Sequence, residues 1–175
     1  MNKQAKVTIK GISALLMHAF PLVPIEALEK RSPEEQAEYS AYRDPDTEML
    51  YIPGVAFQRA LIAGAAYSKG KGRASLQKPV AACVLVSPER SSLGVKEFKI
   101  DARPVVIPAT KGRVMRFRPR LDEWQASFEI DFDPTIITED QLRRVVDDTG
   151  RNVGLLDFRP EKKGPYGRFS VIEWK

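Results

Sequence analysis

The sequence predicts a single α+β domain over residues 1–175, and three observations lead to this prediction. The length of 175 residues suits one domain with a sizeable core. Apolar and polar residues alternate over 5–9 and again over 123–132, which is the period of a half-buried strand. Two other segments carry the capping signals of helices, beginning at Ser32 and at Thr138. Strands and helices are therefore interspersed along the chain, and no linker divides it.

The first third of the chain predicts one strand and two helices. Residues 4–12 read as the first strand because of their alternation. Ser32 supplies an N-cap, Pro33 suits the first helical position and Glu35 completes a capping box, so a short helix is expected to about Tyr42. After Pro53-Gly54, apolar residues at helical spacing predict a second helix to about Ser68.

The middle of the chain predicts a buried strand and a hairpin. Pro79 to Val86 is nearly continuous apolar sequence, which is typical of a central strand buried on both faces. Residues 102–108 and 113–118 look like two extended arms, joined by a turn over 109–112 that contains a glycine.

The last third predicts a strand, a helix and a final strand. Residues 123–132 alternate most clearly, with Trp124 and every second residue after it pointing to one face. The capping box that begins at Thr138 starts a helix, which Gly150 is expected to end. A loop over 159–168 then leads into a strand from Phe169 to Trp174.

The order of these elements predicts the topology. Without the extra segments it is strand, helix, strand, strand, helix, strand, which is the split βαβ arrangement of ferredoxin-like, or RRM-like, domains. We therefore expect an α+β fold with a ferredoxin-like βαββαβ core. A basic β-hairpin is inserted in this core, and a helical excursion over 20–52 follows the first strand.

Composition excludes several function classes. The chain has one cysteine, Cys83, and one histidine, His18, so an internal disulfide framework and a zinc site built from several cysteines are excluded. We expect no metal and no cofactor. Lys3, Lys6 and Lys10 precede an apolar run that resembles a signal peptide, but the strand alternation and the interruption at His18 argue against one. We expect a cytoplasmic protein without a membrane partner.

Charge is strongly segregated along the chain. Residues 67–120 carry 13 Lys and Arg against 3 Asp and Glu, a net +10, whereas residues 121–158 carry 3 against 10, a net −7. Within the basic block, every second residue of an extended segment is an arginine: Arg116, Arg118 and Arg120. Their guanidinium groups are therefore expected to project from the same face of a strand. Like charges this close repel, which a polyanion or an acidic partner would relieve.

Two motifs resemble a known family. The stretch Ile52–Leu61, with sequence IPGVAFQRAL, resembles the Pro-Gly-led first helix of the RAMP superfamily, the RNA-binding proteins of CRISPR systems. The stretch Gly154–Phe169 is similar to that family's Gly-rich loop before the last strand, which lies beside bound RNA. The chain departs from the pattern at Val55 and Ala56, where the family has small hydroxyl residues, and at Gln58-Arg59, where it has Lys-Gly. The resemblance implies a ferredoxin-like fold and RNA binding.

Two further resemblances widen the hypotheses. Arg113–Trp124 and Gly154–Phe169 also resemble proteins encoded by phages and prophages, so a phage-borne relative of the RAMP fold is one interpretation. Some RAMP relatives are metal-independent ribonucleases that use a histidine near the N-terminal region, which implies a general-base role for His18. A lone histidine in an apolar run is more often packed in the core, and we expect that of His18.

Basic side chains and nearby aromatics define the candidate site. Phe158 and Tyr166 flank the cations of the closing loop, which we define as residues 154–168; they could stack on bases or could equally be core aromatics. The candidate nucleic-acid-binding residues are Lys69, Lys71, Arg73, Lys111, Arg113, Arg116, Arg118, Arg120, Phe158, Arg159, Lys162, Lys163, Tyr166 and Arg168.

The leading hypothesis is a non-enzymatic protein that binds single-stranded nucleic acid, RNA or DNA. It is expected to assemble along its ligand as a homo-oligomer or within a larger ribonucleoprotein. The alternatives are a small RNA endonuclease that uses His18 and a phage protein whose basic face binds an acidic host protein.

Overall fold

The computed structural model describes residues 2–70, 72, 74–107 and 109–175. Its strands fall into a four-stranded, a three-stranded and a two-stranded sheet. The strands are β1 (Lys3–Gly11), β2 (Leu15–Leu16), β3 (Tyr51–Pro53), β4 (Val84–Ser87), β5 (Arg90–Ser92), β6 (Lys99–Val106), β7 (Arg113–Leu121), β8 (Gln125–Phe132) and β9 (Phe169–Trp174). The helices are α1 (Ile25–Leu28), α2 (Pro33–Tyr39), α3 (Gly54–Gly64), α4 (Gln77–Cys83) and α5 (Glu139–Asp148).

The four-stranded sheet has the order β4-β8-β1-β9, and every neighbouring pair is antiparallel. Ala5, Val7 and Ile9 of β1 are buried, as the alternation predicted, and the even-numbered residues of β8 are buried beside them. Phe57 of α3 stacks on Phe128 of β8, with ring centroids 4.3 Å apart, so α3 covers this face. The prediction of an α+β fold with antiparallel sheets is confirmed, and the structure is consistent with a ferredoxin-like fold.

Both predicted capping boxes are present. The Ser32 hydroxyl accepts a hydrogen bond from the Glu35 amide and the Glu35 carboxylate accepts one from the Ser32 amide, so α2 begins where predicted. Thr138 and Gln141 make the same reciprocal pair at the start of α5, whose Leu142, Val145 and Val146 are buried.

The prediction of a central strand from Pro79 to Val86 was wrong. Residues 77–83 form α4, and the strand that follows, β4, lies at the edge of the sheet. Pro79 is the third residue of α4, where an amide has no partner within the helix, and Ala81 and Ala82 favour helix. A short apolar run does not distinguish a buried strand from a buried helix.

Gly150 does not end the predicted helix that begins at Thr138. The chain passes from α5 directly into a π-helix over Thr149–Val153, and the residue that follows it, Gly154, has a φ of 74°. Gly150 instead lies against the Phe169 carbonyl at the start of β9, so close that a Cβ would collide with it.

The predicted hairpin is present as β6 and β7. The Ile107 amide donates to the Gly112 carbonyl across the turn, and β2 pairs with the far end of β7. The three strands form a second sheet in the order β2-β7-β6. In the described part of the chain, no helix is long and apolar enough to cross a membrane.

Candidate nucleic-acid interface

Two arginines of β7, Arg118 and Arg120, are neutralised within the protein. Arg116, Arg118 and Arg120 share one strand face, but Arg118 is only 6% exposed and pairs with both Asp101 and Asp157. Arg120 Nε lies 2.7 Å from the Asp122 carboxylate. Carboxylates of the chain itself therefore relieve the repulsion that the sequence suggested a polyanion would relieve. We assign Arg118 a structural role, which corrects its interpretation as a phosphate contact.

Tyr166 is held in a clasp between the closing loop and the hairpin. Its ring is 9% exposed, and its hydroxyl accepts a hydrogen bond from Arg103. The guanidinium groups of Arg103 and Arg120 lie 5.0 and 5.8 Å from the ring centroid, and Phe158 packs at 6.0 Å. Stacking of Tyr166 on a base would require this clasp to open, so the structure places the ring in the scaffold.

A cleft of about 420 Å³ lies between the N-terminal half of α3 and the closing loop. Its apolar walls come from Val55 and Ala56 on α3 and from Leu156 on the loop. Its polar lining consists of His18, Tyr42, Arg59, Asp157, Arg159 and Lys162. The two segments that carry the family resemblance therefore form opposite walls of one cleft.

The cleft carries net positive charge. Three cationic side chains face one carboxylate, that of Asp157, which already accepts a hydrogen bond from Arg118. Arg159 is tied to the Glu161 carboxylate and to the Leu156 carbonyl. Arg59 and Lys162 are exposed, and neither forms an ion pair with any residue that the structure describes. These two charges are available to an anion.

His18 lines the cleft and is not packed in the core, which corrects the sequence expectation. Its side chain is 42% exposed, and its Nδ1 lies 4.0 Å from the Asp157 carboxylate. Burial lowers the pKa of the imidazole below its usual value; the Asp157 carboxylate opposes this shift, and Arg118 and Arg116 add to it. These effects together favour the neutral form of the imidazole.

The closing loop has an unusual backbone. Leu156, Phe158 and Lys163 have φ values of 59°, 47° and 61°, a region that non-glycine residues rarely adopt. Gly154 has a φ of 74°, and a Cβ there would lie 2.8 Å from the Pro160 ring. Residues held in such conformations cluster at binding sites, because the surrounding structure must enforce them.

The remaining predicted residues lie outside the cleft. Lys69 is exposed beyond the C-terminal end of α3, whereas the cleft lies at the N-terminal half of that helix. Lys111 and Arg113 are exposed at the hairpin end, and Lys163 and Arg168 are exposed on the closing loop. Lys71 and Arg73 lie outside the described residues.

Sequence reasoning missed Arg59, Tyr42 and Asp157 as parts of the site. For Arg59 a signal was present, because Val55 and Arg59 are four residues apart and share the face of α3 opposite the buried Phe57 and Leu61. Within the described ranges, no group of three or more His, Cys, Asp or Glu could hold a metal ion.

Comparison with solved structures identifies the fold. A chain of a type III-B Cmr-beta structure bound to cognate target RNA superposes with a TM-score of 0.60 at 11% sequence identity, over 99% of this chain and 60% of that one. Cmr6 from Pyrococcus furiosus superposes with a TM-score of 0.51, also at 11% identity, over 98% of this chain and 99% of that one. The chain has the RAMP fold.

The RAMP resemblance seen in the sequence is thus confirmed at the level of the fold. The chain spans about 60% of the length of the Cmr-beta chain that it matches. No protein-family model and no curated protein sequence matches it.

Proposed function

We propose that this protein binds single-stranded RNA in the cleft between α3 and the closing loop, and that it has no catalytic activity of its own. The observation that carries the proposal is the pair of unneutralised cations, Arg59 and Lys162, on the two walls of one cleft. In this proposal the four-stranded sheet with α3 and α5 is a ferredoxin-like βαββαβ core, and the β6–β7 hairpin is an insertion in it.

Charge and shape both favour a nucleic-acid strand. Each phosphate that is neutralised by Lys or Arg releases counterions, and this supplies sequence-independent affinity. A cationic cleft with apolar walls matches a chain of alternating phosphates and bases. RNA is favoured over DNA because one structure of the same fold is described as bound to cognate target RNA.

The test is the salt dependence of binding after removal of the two cations. The double variant Arg59→Ala/Lys162→Ala should bind a labelled single-stranded RNA more weakly. Its slope of log K against log salt should be shallower by roughly 0.7 per lost contact, or about 1.4 in all. The matched control, Lys78→Ala/Arg144→Ala, removes the same charge from exposed positions outside the cleft and should leave the slope unchanged. Equal slopes in the two double variants would contradict the proposal.

The exposed cations outside the cleft extend the proposed path. Lys163 and Arg168 belong to the closing loop itself, and Lys111 and Arg113 lie at the end of the hairpin. We propose that they contact flanking phosphates. Their single alanine variants should each lower the affinity for a long oligonucleotide and leave that for a short one unchanged, as measured by fluorescence anisotropy.

RNA cleavage is the second candidate function, and the exposure of His18 in the cleft is the observation that favours it. A neutral imidazole could accept the proton of a 2′-hydroxyl, and the Asp157 carboxylate, 4.0 Å from Nδ1, would stabilise the imidazolium that forms. The candidate requires that RNA, but not its 2′-deoxy analogue, is cut, and that His18→Ala abolishes the cut while binding persists. If the RNA stays intact after prolonged incubation, the cleavage function is excluded and binding is the remaining function.

A further inference from the structure

A second cavity lies beside the cleft and differs from it in chemistry. Its walls are mostly apolar, and Phe20 stands at this cavity with 84% of its surface exposed. Its lining consists of Phe20, Pro21, Val23, Ile25, Leu28 and Phe117, together with the polar His18, Gln36, Ser40 and Arg116. Removing the exposed ring of Phe20 from water would be favourable for a ligand that covers it.

His18 joins the two cavities. It lines both of them, so the apolar cavity adjoins the cationic cleft at the imidazole. Arg116 lines the apolar cavity and lies near enough to His18 to interact electrostatically with it. A strand in the cleft would therefore bring its next nucleotide to Phe20, with a guanidinium nearby.

The polar groups of the cavity can recognise a base edge. Gln36 is buried, and its amide nitrogen donates to the Arg31 carbonyl at 2.9 Å, which leaves its amide oxygen as an acceptor for a ligand. The buried Ser40 hydroxyl donates to the Gln36 carbonyl and can still accept a hydrogen bond. A flat apolar wall with a few polar groups suits the face and the edge of a nucleobase.

We propose that this cavity, built around Phe20, is a subsite for one unstacked nucleobase of the bound strand. The inference rests on the proposed binding function and adds a base-reading position to a phosphate-binding cleft. Phe20 stacks on the base, and Arg116 pairs with the adjacent phosphate. Stacking of a base on an exposed aromatic, beside an arginine, is a recurring way to hold single strands.

A protein partner is the competing explanation for an exposed apolar side chain. Leu22 discriminates between the two, because it is 95% exposed on the same loop but does not line the cavity. A protein interface on this loop would use both residues. A base subsite would use Phe20 alone.

The test compares two RNA probes of equal length and charge, one intact and one made of abasic residues. Phe20→Ala should weaken binding of the intact probe by roughly 5- to 100-fold and leave binding of the abasic probe unchanged. Phe20→Trp should retain the affinity, and Leu22→Ala should behave as wild type with both probes. Phe20 is exposed, so its variants should fold, and equal melting temperatures confirm this.

Three outcomes would overturn the inference. If Phe20→Ala binds the intact probe as tightly as wild type, the subsite is wrong, whereas the salt-slope test of Arg59 and Lys162 remains valid for the cleft. If Phe20→Ala and Leu22→Ala lose affinity equally, the loop contacts the strand without a base subsite. If the wild-type protein binds neither probe, the binding function fails and the subsite fails with it.

Discussion

Arg116 and Arg118 lie on the same face of β7 but have different roles in this protein. Arg118 is buried between Asp101 and Asp157, and its Nε has no hydrogen-bond partner among the described residues. Arg116, two residues earlier on the same strand face, is partly exposed and lines the apolar cavity. Removal of one partner from a buried ion pair leaves the other charge without compensation, which is costly.

Arg118→Ala should therefore lower the free energy of unfolding by about 3–5 kcal/mol, because Asp101 is equally buried and loses one of its two arginine partners. Arg116→Ala should change stability much less. Urea unfolding followed by circular dichroism measures both. The folded Arg118→Ala protein should retain the wild-type salt slope for RNA binding. A stable Arg118→Ala variant with a flattened slope would make Arg118 a phosphate contact after all.

The lowered pKa of His18 predicts a pH dependence of stability. The folded state binds a proton at this imidazole less readily than the unfolded state, whose pKa is near 6.5. The stabilisation from neutral His18 is therefore present above pH 6.5 and is lost as the pH falls through the folded-state value. Between pH 7.5 and 5.5 the wild-type melting temperature should fall more than that of His18→Gln. Parallel curves for the two proteins would contradict this assignment.

At the scale of elements, local signals were sufficient for some predictions and insufficient for others. The alternation in β1 and β8 and the two capping boxes depend on neighbours in sequence, and all four were confirmed. The cleft depends on two elements about 100 residues apart, so Arg59 could not be placed opposite Arg159 without the tertiary fold. The burial of Arg118 could not be predicted from sequence for the same reason, because its partners Asp101 and Asp157 come from other parts of the chain.

The closing loop, which the sequence predicted only as a Gly- and base-rich connection to the last strand, is attached to the rest of the domain at several points. Its Asp157 amide donates to the Leu16 carbonyl, and its Gly167 amide donates to the Ala14 carbonyl, so both ends are attached near β2. Tyr166, next to Gly167, also holds the C-terminal end of the loop against the hairpin. This attachment positions Arg159 and Lys162 on the wall of the cleft.

Tyr166→Ala should destabilise the protein by about 3–5 kcal/mol, because it removes a buried ring and one of the two aromatic rings that the Arg103 guanidinium contacts. Tyr166→Phe keeps the ring and should cost only about 1 kcal/mol for the lost hydrogen bond. Thermal melting and the RNA dissociation constant are measured on both variants. Retained affinity in the folded fraction is expected. If Tyr166→Ala instead loses much of its RNA affinity while its stability is unchanged, Tyr166 stacks on a base.

At the scale of the whole molecule, a basic region and an acidic region are exposed at different places on the surface. Lys111 and Arg113 are exposed at the hairpin end, whereas Asp140 and Asp147 are exposed on α5, seven residues apart and thus on one face of that helix. Complementary patches at different places on one protomer favour a heterologous contact. Such a contact builds a ring if the rotation closes and a filament if it does not.

We therefore predict head-to-tail self-association in which the hairpin end of one protomer meets α5 of the next. Sedimentation at low salt should show oligomers, and moderate salt should dissociate them because the contact is electrostatic. Lys111→Glu/Arg113→Glu and Asp140→Lys/Asp147→Lys should each remain monomeric alone. A mixture of the two should associate, since each supplies one side of a contact with exchanged charges. A wild-type monomer under every condition would exclude self-association, and a mixture that stays monomeric while the wild type associates would place the contact elsewhere.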